Sequence, residues 1–214
     1  WEVVNKANVG LELGLFNGMV DLQFDLFDER RHNIFMPRES IPITAGFIKQ
    51  PWDNYGKMKN QGAEVTLNIN KQFNKNLFVS LMGTLTYAHN EITEKDEPAA
   101  VVGTNRAETG YPTGQNRGYI AERLFTNDDF ADVAAGTLKE GIPAQTFTAK
   151  LRPGDIKYVD VNQDGKIDAF DVSPIGGPIN PEIVYGFGLN MKWKDLDFGV
   201  LFQGIGRTWN SCVK

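Results

Sequence analysis

Apolar and polar residues alternate with a period of two over three long stretches of the chain. In the first, Val9, Leu11, Leu13 and Leu15 fall on one face and Asn8, Gly10, Glu12 and Gly14 on the other. Phe16-Asn17-Gly18 follows, and Asn-Gly is a strong hairpin signal because both residues tolerate positive φ. The chain returns with Val20, Leu22, Phe24 and Leu26 alternating against Asp21, Gln23 and Asp25. Successive side chains of a strand point to opposite sides, so both arms belong to a two-faced sheet.

The unit recurs twice. Ala63, Val65, Leu67 and Ile69 alternate with Glu64, Thr66, Asn68 and Asn70, turn near Phe73–Asn76, and return through Leu77, Val79, Leu81, Gly83, Leu85 and Tyr87. Tyr185, Phe187, Leu189, Met191 and Trp193 alternate with glycine and polar residues, turn at Lys194-Asp195, and return through Leu196, Phe198, Val200 and Phe202. The pattern predicts an all-β chain of three antiparallel hairpins, about six strands of about ten residues each. Soluble strands usually run to about five or six residues, whereas a tilted membrane strand needs about 9–11.

The connections sharpen this choice. Each hairpin has a tight turn at one end, while the stretches between hairpins, 28–60 and 89–181, are long. Outer-membrane barrels combine short periplasmic turns with long extracellular loops. Phe16, Phe73 and Trp193 near the turns, and Tyr87 and Tyr185 towards the loops, suit interfacial aromatic girdles. The expected fold is part of a large transmembrane β-barrel, with residues 1–206 as barrel and 207–214 as a divergent tail. Six strands cannot enclose a wide lumen, so partner strands are expected elsewhere. The alternative is a soluble, calcium-stabilised β-domain for adhesion or carbohydrate binding, its apolar face buried in a sandwich. Phe78 and Leu201 interrupt the polar side in either reading.

Composition narrows the function classes. A formal net charge of −5 argues against a nucleic-acid partner. The single cysteine, Cys212, excludes an internal disulfide. No apolar run approaches the roughly 18 residues of a membrane-spanning helix. The chain opens at Trp1-Glu2 without a signal peptide, so a longer parent protein is expected. His32 and His89 read as solvated residues beside long loops, and no catalytic motif is present, so no enzyme is expected.

One motif carries metal chemistry. Asp160, Asn162, Asp164, Lys166, Asp168 and Asp171 occupy positions 1, 3, 5, 7, 9 and 12 of a calcium-type loop, with Gly165 at position 6 and Lys166 offering its carbonyl. Calcium takes six to eight oxygens, and four aspartates this close would repel one another without a cation. Asp171 replaces the longer glutamate at position 12, and the flanks are extended. A structural Ca2+ is expected; an ion-free turn-rich loop is the alternative. Trp52 and Tyr55, in the first long connection, are candidates for stacking on a sugar.

These residues together resemble the SusC/RagA-like TonB-linked outer-membrane receptors of Bacteroidetes. The similarity runs through Lys6–Gly18, Asn60–Val65, the segment Gly154–Asp171, Tyr185–Gly188 and Phe202–Gly204, with a weaker match over Gly114–Phe130. It implies a Gram-negative outer-membrane location among lipid and a late stretch of a 22-stranded barrel. It further implies import of glycans or peptides with a SusD-like lipoprotein, and energisation by TonB through segments outside this sequence. The implied lumen is lined by Glu12, Asp21, Gln23, Asp25, Glu64, Thr66, Asn68 and Asn190.

Overall fold

A computed structural model describes residues 1–209, except the side chain of Ile43. Six long strands form one sheet: β1 Val3–Leu15, β2 Val20–Pro37, β3 Trp52–Asn74, β4 Leu77–Glu94, β5 Ile183–Trp193 and β6 Leu196–Gly206. They lie in sequence order and every adjacent pair is antiparallel. The predicted turns fall in place. Phe16, Asn17 and Gly18 adopt φ of 54°, 57° and 80°, and Lys194 closes the last hairpin at 54°. Lys75 and Asn76 make the middle turn, where the Asn76 N–H donates to Asn74 Oδ1 at 2.9 Å.

β2, β3 and β4 outrun furthest the alternation that announces them. They contain 18, 23 and 18 residues. The expected connection 28–60 is therefore mostly strand, and the true loop is 38–51, closed at its base by Arg38 N–H donating to Pro51 O at 2.9 Å. Both faces of the extensions carry charge and amide groups, so no apolar stripe marks them. Cross-strand pairs hold them instead: Lys6–Glu29 at 2.6 Å, Arg31–Glu2 at 2.8 Å, Lys59–Glu91 at 2.8 Å, and Gln61 Nε2 donating to Asp28 at 2.7 Å.

The chain divides into two compact units. The sheet belongs to the first, with residues 108–114; residues 97–107 and 115–176 form the second, within what alternation marks as one long connection. The second unit is made of short ladders. Ala121–Leu124 pairs antiparallel with Ile156–Tyr158, Phe130–Asp132 pairs with Thr137–Leu138, and Ala144–Gln145 runs parallel to Lys166–Ile167. Its core is small: Phe125, Phe130 and Leu151, with Leu138 and Ile142 packed on them. Below this core, Arg123 grips the buried Asp129 carboxylate through two nitrogens, at 2.7 and 2.6 Å. That guanidinium, and the Thr126 backbone N–H, hold the Asp129 carboxyl far below the usual carboxylate range.

Of the tail 207–214, Arg207 to Trp209 are described, and the Trp209 N–H donates to Pro178 O at 3.0 Å. Residues 210–214, including Cys212, lie outside the described residues. No described helix is long and apolar enough to cross a membrane, which says nothing of strands.

Candidate functional site

The strand register aligns the alternation into continuous rows. On one face, Leu13, Leu22, Leu67, Gly83, Phe187 and Phe202 stand opposite one another across all six strands. The next row is Leu15, Val20, Ile69, Leu81, Leu189 and Val200. Phe187 and Phe202 stack at 4.8 Å between ring centres, and the Tyr185 ring lies where a side chain on Gly204 would go. A one-residue slip would invert every one of these side chains, so the rows fix the register.

That face is uncovered. Leu11, Leu13, Leu15, Leu26, Leu81, Leu85, Phe187, Phe198 and Phe202 all remain exposed, several beyond half their surface. The described buried apolar residues, Ala107, Phe125, Phe130, Leu151 and Ile167, all lie off the sheet. A water-facing sheet of this size would have to bury such a face. The sandwich reading required those leucines and phenylalanines to interdigitate in a core, and they do not. On β5 the outward residues run from Ile183 to Trp193. Ten steps of about 3.3 Å at a tilt of roughly 40° give a band about 25 Å tall, the height of the apolar belt of an outer-membrane barrel.

The opposite face is polar along the same register. Glu12, Gln23, Thr66 and Thr84 form one row; Gly10, Asp25, Glu64 and Thr86 the next; Gly14, Asp21 and Asn68 a third. Asn190 stands opposite Ser80. The eight residues expected to line a lumen are thus brought to one face. Acids dominate it, and Asp25 leans into the space left by Gly10, where a Cβ would lie 2.5 Å from its Oδ1. The polar character fails towards β6, where Leu201 has the company of Met82 and Ile205, all exposed.

The other expected site residues fare differently. Trp52 and Tyr55 are not loop residues: Trp52 opens β3, and Tyr55 is the unpaired residue of a bulge between Asn54 and Gly56. Each ring meets its own partner, Trp52 the Phe35 ring at 5.2 Å and Tyr55 the Arg38 guanidinium at 4.8 Å. The two are not assembled into one stacking site. Arg38 also binds Asp96 at 3.0 Å and Asp53 at 3.2 Å, and Ser40 adds its N–H and hydroxyl to Asp96. Burial pushes the Asp96 carboxyl up, but the Arg38 and Ser40 hydrogen bonds outweigh it and hold it below its ordinary value. This clamp joins residues 58 positions apart, a separation with no sequence signal. His32 and His89 likewise lie within β2 and β4, and His89 Nδ1 pairs with the buried Glu182.

The calcium-type loop is closed by its own hydrogen bonds. Gly165 takes φ of 85° and Gln163 60°. Asp160 accepts from the Asp164 and Gly165 N–H groups at 3.2 and 2.8 Å, Asn162 from Asp164 at 3.1 Å, and Asp164 from Lys166 at 3.0 Å. Asp168 accepts from Phe170 at 2.8 Å. Asp171, only 1% exposed, accepts from Val161 and Asp168 at 2.8 Å each and from Asn162 at 3.4 Å. Its carboxylate ties the loop shut from position 12, the place of the closing ligand in a calcium loop, and Asp160, Asn162, Asp164, Asp168 and the Lys166 carbonyl supply the other oxygens of the expected set. No group of three or more His, Cys, Asp or Glu side chains among the described residues is spaced to hold a metal by themselves.

A sheet with an uncovered apolar belt on one face and an acidic, hydrogen-bonding face on the other is a segment of a transmembrane β-barrel wall. The chain belongs to the TonB dependent receptor-like, beta-barrel family, whose model matches residues 1–202. It is 28% identical over 208 residues to TonB-dependent receptor P26 of Formosa agariphila, covering 95% of this chain and 20% of that protein. It is 24% identical over 205 residues to TonB-dependent receptor SusC of Bacteroides thetaiotaomicron, covering 92% and 19%. Among solved structures, the RagAB peptide importer in the open-open state superposes with a TM-score of 0.67 at 23% identity, over 98% of this chain and 21% of that one. The chain thus spans about a fifth of the length of the curated relatives it matches. These relatives are receptors, not enzymes.

Proposed function

We propose that these residues form part of the wall of an outer-membrane receptor that imports glycans or peptides, with a SusD-like lipoprotein capturing cargo outside and TonB supplying energy from within. The uncovered apolar face carries the reading, because only hydrocarbon leaves such a face stable without a protein cover. β1 and β6 end the six-strand order. In a bilayer their outer backbone groups need further strands, so the proposed barrel closes through the rest of the receptor. The acidic inner face suits a water-filled path for polar cargo.

The loop Asp160–Asp171 holds a structural Ca2+ in this proposal, with Asp160, Asn162, Asp164, Asp168, Asp171 and the Lys166 carbonyl as its oxygens. Calorimetric titration of the full-length receptor with Ca2+ tests it: one saturable site, lost in Asp164→Ala, supports the ion, and an identical trace from both proteins removes it. Fractionation tests the receptor reading. Recovery only in the detergent-extracted outer membrane, with uptake abolished by a TonB deletion, supports it; a monomeric aqueous form refutes it.

A further inference from the structure

We propose that the second unit carries a binding subsite for an anionic sugar ring, built on an aromatic platform of Phe147, Tyr119 and Tyr158; the proposal rests on the glycan arm of the receptor reading above. The three rings come from three separate segments. Phe147 stacks on Tyr119 at 4.6 Å with planes 23° apart, and Tyr158 meets both, at 5.4 Å from Tyr119 and 5.7 Å from Phe147. The cluster is anchored from behind: the Thr146 N–H donates to Ile167 O at 3.1 Å, and Tyr158 ends a strand paired with Ala121–Leu124. Yet Phe147 stays 47% exposed. A flat, fixed, half-open ring pair is a surface on which the C–H face of a pyranose can lie.

Beside the platform opens a cleft of about 550 Å³, within the roughly 300–1,000 Å³ typical of small-molecule sites. Gln145 sits at its floor, 6% exposed, and its Oε1 is taken by the Tyr158 N–H at 3.0 Å. Its amide Nε2 has no partner among the described residues, while no fully buried side-chain nitrogen or oxygen there lacks one. That nitrogen therefore keeps some exposed surface, and with Gln145 lining the cleft it is a donor available to an acceptor there. Lys150 and Arg152 line the same cleft, and neither makes an ion pair among the described residues. Asp155 lines it too, with Oδ2 held by the Arg152 N–H at 2.8 Å, so the cleft carries one net positive charge in a chain of net −5. Two unpaired cations and a buried amide donor around an aromatic face select a ring bearing carboxylate or sulfate. A peptide bound by strand addition is recognised through main-chain ladders, for which the described residues of this cleft offer no long open strand edge; the acidic-peptide probe below separates the remaining peptide modes from a sugar ring.

The test is binding to the full-length receptor in detergent by four probes of matched length: an oligogalacturonate, a sulfated galactan oligosaccharide, a neutral maltooligosaccharide and an acidic peptide. At least one anionic oligosaccharide should bind about tenfold or more tighter than the neutral one and the peptide, the scale of one hydrogen bond to a charged group, with affinity falling as salt rises. Phe147→Ala should weaken binding of the anionic sugar about tenfold. The exposed double change Lys150→Gln with Arg152→Gln, which removes no packing in the core, should bring the anionic and neutral affinities together. The proposal is overturned if no probe binds, if the peptide or neutral sugar binds as well, or if these variants leave anionic binding unchanged. In any of these cases TonB-dependent uptake of other cargo and outer-membrane recovery would be unaffected, so a failed cleft is distinguishable from a failed receptor reading.

Discussion

Placing arginine along the outward side of β5 measures directly what that side meets. Ile183, Phe187, Leu189 and Trp193 all project from the apolar face, and Ile183 and Trp193 are its two ends. Leu189 lies four residues from one end and six from the other, about 10 Å from the nearer edge at a tilt of roughly 40°. Arginine at the middle of a barrel's lipid face costs about 2–4 kcal/mol, falling to about 0–1 near the interfaces. Leu189→Arg and Phe187→Arg should therefore destabilise the folded receptor by about 2–4 kcal/mol, and Ile183→Arg and Trp193→Arg by clearly less. Asn190 is next in sequence but on the polar face opposite Ser80, and Asn190→Arg should stay within about 0.5 kcal/mol as an ordinary wet-surface change. The assay is equilibrium folding of the full-length barrel into bilayers, followed by denaturant titration. Equal costs at all four outward positions, or an Asn190 cost matching that of Leu189, would refute the bilayer argument, because neither a depth profile nor a face difference would then exist.

Three further outcomes follow from particular contacts. A Cβ on Gly62 would lie 2.2 Å from the Tyr87 carbonyl oxygen and 2.4 Å from the Phe27 ring, so Gly62→Ala should cost about 1–3 kcal/mol as overpacking, read as a lower midpoint in the same titration. Asp25 and Glu64 face each other directly on the polar side, so Glu64→Gln should leave stability unchanged or raise it by up to about 1 kcal/mol; a clear loss would show that the pair shares a bound cation or a proton. Asp129 has its folded pKa depressed from 3.8 by Arg123 and the Thr126 N–H, so its contribution is complete above pH 3.8 and fades as pH falls through the lower folded value. Limited proteolysis within 115–176 should accordingly be unchanged from pH 7 to 5 and accelerate only in strong acid, whereas Arg123→Ala should sensitise the segment already at neutral pH.

The three hairpins were legible because period-two alternation is a local property, written in residues two apart and bounded by Asn-Gly and Lys-Asp turns. Register and facing then followed, since only one alignment places Leu13, Leu22 and Leu67 in a row. The strand extensions were not legible. Residues such as Asp28, Glu29, Arg30 and Arg31 are polar on both faces, and a strand held by cross-strand ion pairs has no periodicity to betray it. For the same reason Trp52 and Tyr55 read as loop residues although both lie in β3. The second unit escaped for a different cause: most of its strands are two to four residues long, too short for any period, and its core joins Phe125 to Leu151 across a long stretch of chain. The calcium-type loop was legible as a pattern, but the use of Asp171 as a tie between three backbone N–H groups was not.

The two units therefore answer to different solvents, and their apolar residues say so. In the second, Phe125, Phe130 and Leu151 are withdrawn from water at 2%, 4% and 6% exposure, and burial stabilises them in the ordinary way at about 25 cal/mol per Å². In the sheet, side chains of the same kind stand open, so the same term contributes nothing until lipid or detergent covers them. What holds the sheet in register is the backbone ladder and its cross-strand pairs, which a low-dielectric surround strengthens by removing the competition of water. The polar face must then stay wet, because Glu12, Asp21, Asp25 and Glu64 in hydrocarbon would cost far more than the opposite belt returns. One sheet thus needs oil on one side and water on the other at the same time, and a barrel wall around an aqueous lumen meets both conditions.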